Sequence, residues 1–137
     1  MTKMFVIIGR TIVEGKATAK LFIAKEPISF YGEVDPSTGV YRDGRSMRNR
    51  IVIAPGVRGS TVGAYTIYAM KKYGVAPKAL ILGNIDPVVI AGCVLTSIPL
   101  ITVDSVKLKY VLEHASDECI GEIKASSTSL ASIKIVC

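Results

Sequence analysis

The 137-residue chain is half hydrophobic and one-fifth charged, apolar enough for a packed core and too apolar for a disordered segment. Seventeen Lys and Arg against eleven Asp and Glu leave a formal charge of +6, which favours an anionic substrate or partner, yet so apolar a chain does not read as a nucleic-acid arm. No stretch reaches the roughly 18–20 apolar residues of a membrane span, and the apolar run before Gly9 is too short for a signal peptide, so a soluble cytoplasmic protein is expected.

No repeat or Pro/Ser-rich linker divides the chain, so a single domain over residues 1–137 is expected. A short β-branched strand over residues 4–8 should end at Gly9. Residues 15–24 alternate, with Ala17, Ala19, Leu21 and Ile23 on one face and Thr18, Lys20 and Phe22 on the other, which predicts a half-buried strand. Phe30 to Val34 leads into a tight reversal at Asp35-Pro36-Ser37-Thr38-Gly39, after which a strand or loop edge is expected. The polar segment that follows, with Arg42, Arg45, Arg48 and Arg50, reads as a surface connection.

The continuous apolar runs 51–54, 79–82 and 99–103 predict strands buried on both faces. Between them the pattern predicts a helix from an N-cap at Ser60 to about Tyr73, with an apolar stripe of Val62, Tyr65, Ile67, Ala69 and Met70. A second helix, capped by Asp86 with Pro87 at its first position, should run to about Thr96. This order implies right-handed crossovers and a parallel βαβαβ segment. A short helix over 106–114 and strands over 120–124 and 132–136 should complete an α/β chain.

Cys93, Cys119 and Cys137 show no C-x-x-C spacing, so neither a disulfide framework nor a metal or iron–sulfur site is indicated; they read as small buried hydrophobes and one exposed terminal thiol. His114, the single histidine, has no ligand-like neighbour and should be exposed.

The chemistry concentrates in Pro55-Gly56-Val57-Arg58-Gly59-Ser60-Thr61-Val62-Gly63, between a buried strand and a helix. Gly56 and Gly59 permit sharp turns and close approach, helix N–H groups favour an anion, and Arg58 can add a two-pronged contact to carboxylate or phosphate. The spacing is neither a Walker A loop nor a dinucleotide fingerprint. Equally, Ser60 could merely cap the helix and Arg58 be a surface charge. Asn84 and Asp86 repeat the layout at the next strand's carboxyl end, where ligands of open α/β sheets bind, although Asp86 also reads as a plain N-cap.

Taken together, Phe30-Tyr31-Gly32-Glu33-Val34-Asp35-Pro36-Ser37-Thr38-Gly39, the Pro55–Gly63 run and Asn84-Ile85-Asp86-Pro87 resemble the swivelling domain of the aconitase X family, in its free-standing small-subunit form. The motifs stand in the family's order within residues 9–103 and are specific as a set; Ala64 stands where the pattern would have serine. The resemblance implies a swivelling β/β/α domain, with the parallel segment joined by barrel-like strands. It implies a hydro-lyase active only with a large subunit whose cysteines hold a 4Fe–4S cluster, this chain holding no metal. The reaction implied is dehydration of (R)-5-phosphomevalonate to trans-anhydromevalonate 5-phosphate in an archaeal-type mevalonate pathway. Ser60 would then be the base at the carbon beside the substrate carboxylate, with Gly56, Arg58, Gly59 and Thr61 binding substrate and Asn84, Asp86 and Arg48 as further candidates. The Arg42 to Arg50 segment would meet either the substrate phosphate or the large subunit. Neither nucleic acid nor membrane enters as a partner. The competing readings are a hydroxyproline-type dehydratase of the same family and a noncatalytic anion-binding or scaffolding module. A phosphohistidine swivel domain would need a histidine in a Gly- and Thr-rich loop, which His114 is not.

Overall fold

A computed structural model describes residues 2–59, 61–127 and 129–137. The strands are β1 (Met4–Val13), β2 (Gly15–Ile23), β3 (Ile51–Ala54), β4 (Ala79–Leu82), β5 (Leu100–Thr102), β6 (Ile120–Ala125) and β7 (Leu130–Val136). The helices are α1 (Phe30–Glu33), α2 (Gly63–Lys72), α3 (Pro87–Thr96) and α4 (Ser105–His114). The strands close into a barrel in the order β1-β5-β4-β3-β2-β6-β7, with β7 returning to β1. β2, β3, β4 and β5 run parallel to one another, and the pairs β2–β6, β6–β7, β7–β1 and β1–β5 are antiparallel. The expected βαβαβ segment is therefore present, and β2 extends it by one parallel strand.

The continuous apolar runs have a simple cause. In β3 and β4 every residue is buried, because Ile51, Ile53 and Ile81 face the barrel interior while Val52, Ala54, Leu80 and Leu82 face the layer of α2 and α3. α4 adds Leu108, Val111 and Leu112 to the interior cluster. Phe22, on the polar face of the expected alternation in β2, is buried under the helical layer with Tyr41 edge-on at 5.6 Å. No helix among the described residues is long and apolar enough to cross a membrane.

Four expectations change. Gly9 does not end β1, which continues to Val13; a Cβ there would lie 2.7 Å from Ile101 Cγ2 and from the Thr102 carbonyl, so the glycine serves the close approach of β5. The strand or loop edge expected after the Asp35–Gly39 reversal is a loop with isolated bridges, Val34 to Tyr41 and Val40 to Ser46, and before the reversal stands a four-residue helical turn, Phe30–Glu33, interrupted by non-helical Tyr31 and Gly32.

The third change concerns α2, which begins at Gly63 with Val62 in the N-cap position, later than the start expected from Ser60, a residue outside those described. Burial of Gly63, Thr66, Ile67 and Met70 sets the helical register, while Tyr65 is left 74% exposed. The fourth is a disulfide between Cys119 and Cys137, their Cα atoms 4.2 Å apart. The pairing of Ile120 with Val136 in β6 and β7 sets these two residues opposite one another, a register that composition and spacing do not reveal. Cys93 is a free, buried thiol as expected. His114 is exposed and stacks on Tyr110 at 4.1 Å.

Candidate functional site

The loops that follow β3 and β4 leave the sheet side by side at the strands' carboxyl ends. The Asn84 amide donates to the Pro55 carbonyl at 3.1 Å, and its side-chain Oδ1 accepts from the Val57 amide at 3.2 Å. A Cβ at position 56 would fall on that Oδ1, so glycine there leaves the Asn84 side chain room to reach the Val57 amide. Gly59 lies at φ +111°, where L side chains are strained, and a Cβ there would lie 2.7 Å from Ser29 Oγ.

A third segment joins from the other direction. The Ile28 amide donates to the Gly56 carbonyl at 3.0 Å and the Arg58 amide donates to the Ile28 carbonyl at 3.0 Å, zipping residues 28–33 along the loop. Glu33 is thereby placed beneath Arg58. Its Oε2 accepts from Arg58 Nη2 at 2.8 Å and lies 3.4 Å from Arg42 Nε, while its Oε1 accepts from the Ser29 amide at 2.7 Å. Arg42 also bonds to Glu26 at 2.8 Å and to the Tyr41 hydroxyl at 3.1 Å; these hydrogen bonds, Glu26 first, raise its already high pKa. The Glu33 side chain is 14% exposed and that of Arg58 57%, so the carboxylate is tucked in and part of the guanidinium faces outward. Arg42 and Arg58 are thus balanced by Glu26 and Glu33, and what remains for an anion is the outward edge of the Arg58 guanidinium.

The structure brings Gly56, Arg58, Gly59 and Asn84 together. Asp86 lies close by, and its Oδ1 accepts from the Val89 amide at 2.8 Å, which is the cap of α3 expected from sequence. Thr61 is exposed. Ser60 lies outside the described residues. Arg48 is exposed and carries no ion pair among the described residues; it adjoins Asn49, whose amide donates to the Ala76 carbonyl at the amino end of β4, away from the loop. The rest of the arginine-rich segment is structural: Arg45 binds Asp117 and the Ile23 carbonyl, and Arg50 binds the carbonyls of Leu21 and Asp117. Of the four arginines, Arg42 reaches the site.

Glu33 and Ser29 are the residues that reading the sequence alone overlooks. Glu33 stands in one of the motifs quoted above, but nothing local pairs position 33 with position 58. Under these loops, Tyr31, Arg58, Gly63, Asp86 and Val88 help to line a cavity of about 20 Å³. That is room for a water and far too little for an organic substrate. A wider depression at the opposite, amino end of the parallel strands, lined by Lys16, Lys71, Lys78 and Lys124, holds none of the predicted site residues.

The pattern of the aconitase X swivel domain matches residues 6–128, past the Val103 limit of the resemblance drawn from motifs. The chain belongs to this swivel-domain family. It is 41% identical over 123 residues to the phosphomevalonate dehydratase small subunit of Thermococcus kodakarensis, covering 85% of this chain and 92% of that one. To the protein of the same name from Aeropyrum pernix it is 50% identical over 92 residues, 67% of this chain and 69% of the other. The swivel domain also superposes on the crystal structure of Thermococcus kodakaraensis aconitase X in its holo-form with a TM-score of 0.83 at 34% identity, covering 96% of this chain and 98% of that one. The expected aconitase X swivel fold, a parallel segment closed into a barrel by further strands, is the fold observed.

Proposed function

We propose that this swivel domain, a single unit over residues 1–137, is the small subunit of a hydro-lyase that converts (R)-5-phosphomevalonate to trans-anhydromevalonate 5-phosphate. Its large subunit would complete the active site and hold the iron–sulfur cluster. The observation that carries the reading is likeness over 92% of the length of a relative that bears this name, in a chain whose loop after β3 presents a held, outward-facing arginine.

The residues here do not fit an iron–sulfur cluster. Cys93 is fully buried, Cys119 and Cys137 are joined to each other, and no group of three or more His, Cys, Asp or Glu suited to a metal occurs among the described residues. The ligands must come from elsewhere.

What this chain contributes is a shaped loop with an outward-facing guanidinium. Arg58, held on one side by Glu33, offers its remaining N–H groups to the substrate's carboxylate or phosphate. Gly56 and Asn84 fix the start of the loop, and Gly59 turns it toward Ser60 and Thr61. In this reading Ser60 takes the proton from the carbon beside the substrate carboxylate. A serine is a weak base in water, so its alkoxide needs stabilisation by loop N–H groups and the Arg58 charge, in a site from which water is excluded. A cavity of about 20 Å³ cannot exclude water from a substrate unless a second body covers it.

The test is turnover of (R)-5-phosphomevalonate by the chain co-purified with the large subunit of the same organism, followed by proton NMR. Ser60→Ala should lose about 10² to 10⁴ in rate with assembly intact. A Ser60→Ala complex of normal rate would move the base elsewhere. Turnover of hydroxyproline instead would assign the chain to another dehydratase of the family.

A further inference from the structure

We infer that the exposed face of α3 is the seat of the large subunit, continuous with the Arg58 loop; this rests on the reading of the chain as a dehydratase subunit. The sequence of α3, Pro-Val-Val-Ile-Ala-Gly-Cys-Val-Leu-Thr, contains no charged residue. Its one hydroxyl, on Thr96, is buried and donates back to the Gly92 carbonyl at 2.7 Å. A helix that is apolar all round belongs in an interior. Only one side of this helix has one: Val89, Gly92 and Cys93 are buried, and Gly92 packs so closely on α2 that a Cβ would lie 3.0 Å from Ile67 Cδ1.

The other side is open. Pro87, Ala91, Val94 and Leu95 are exposed, Val94 by 60% and Leu95 by 69%. Their spacing of i, i+4, i+7 and i+8 makes one stripe along the whole helix. A single exposed leucine needs no explanation, but an unbroken apolar stripe does. On α4 the exposed Val106 and Tyr110 are interspersed with Lys107, Lys109 and Glu113, so no uncharged stripe forms there. The neighbouring α2 adds exposed Tyr65 and Tyr68, a residue type enriched at protein interfaces.

Two observations identify the occupant. The stripe starts beside the site: Asp86 and Val88, which line the small cavity next to Arg58, flank Pro87, the first residue of the stripe. A body that closes this cavity over a substrate therefore lands on the first turn of α3, and the rest of the stripe continues its footprint. A second copy of this chain is disfavoured there, because each carries a net charge of +6.

The test uses the full chain and its large subunit. The double variant Val94→Glu, Leu95→Glu alters only exposed side chains, so the melting temperature of the isolated chain should stay within about 2 °C of the parent. Its affinity for the large subunit, read by titration with light-scattering detection, should fall at least about 100-fold. Turnover should return toward the parent kcat when the large subunit is added in excess. Val6→Glu, on the outer face of β1 where Val6 is 65% exposed, should leave affinity unchanged. Parent-like affinity of the double variant, beside a parent chain that assembles and turns over, would overturn the placement alone. The same holds if the parent chain self-associates and the double variant abolishes that association while still binding the large subunit. A parent chain that never binds the large subunit would overturn this inference together with the proposed function.

Discussion

Gly56 and Asn84 form a pair whose coupling can be worked out from the geometry. In Gly56→Ala the new methyl would occupy the position of Asn84 Oδ1. Asn84 is exposed and short, so its side chain swings outward instead of forcing the backbone apart. The cost is then the lost hydrogen bond from the Val57 amide, 3.2 Å in the parent, plus incomplete hydration of that amide: about 1–2 kcal/mol together. Asn84→Ala loses the same bond and should cost about 1 kcal/mol. Because both changes remove one interaction, the double variant should cost about 1–2 kcal/mol, clearly less than the sum. Urea unfolding followed by far-UV circular dichroism supplies the free energies, and each kcal/mol corresponds to roughly 4 °C in melting temperature for a domain of this size. Strictly additive costs, or a neutral Gly56→Ala, would refute the argument that Asn84 dictates glycine at this position.

Three further outcomes follow from other parts of the molecule. Arg58→Lys keeps the charge but loses the planar fork between Glu33 and substrate, so kcat/KM of the two-subunit enzyme should drop about tenfold or more with affinity for the large subunit unchanged; parent kinetics would reduce Arg58 to a surface charge. Cys137→Ser opens a covalent closure across a separation of 18 residues, which by the chain-entropy estimate should cost about 3 kcal/mol, and dithiothreitol should bring the parent to the same stability. Parent stability unaffected by reductant would mean that the bridge adds nothing. Burial pushes the Cys93 thiol up to about 12, so at pH 8 iodoacetamide should label it in urea but not in the folded chain; rapid labelling without urea would contradict the packing of α3.

Some of this architecture is written locally. Ile51–Ala54 and Ala79–Leu82 are legible as strands because burial on both faces demands an unbroken apolar run. Asp86-Pro87 announces α3 because a carboxylate cap and a fixed φ act within a single turn. Gly56, Arg58, Gly59 and Asn84 are recognisable as candidates because glycine and charge at a strand's carboxyl end have local meaning. The start of α2 shows where such signals lose: Ser60 has the chemistry of a cap, but the buried face of Gly63, Ile67 and Met70 sets the helix further along. Everything that makes the candidates into a site spans the chain. Glu33 meets Arg58 across 25 positions, Asn84 meets Val57 across 27, and Cys119 meets Cys137 through the register of two strands. Propensity, capping and periodicity act over a few residues, whereas these contacts exist once the barrel has closed and the 28–33 segment has been zipped onto the loop after β3. For that reason the sequence alone identifies most of the elements, the candidate loop after β3 and the family resemblance, and the tertiary structure alone decides which carboxylate holds the arginine, which side chain packs against Gly56, and which helix face is left uncovered.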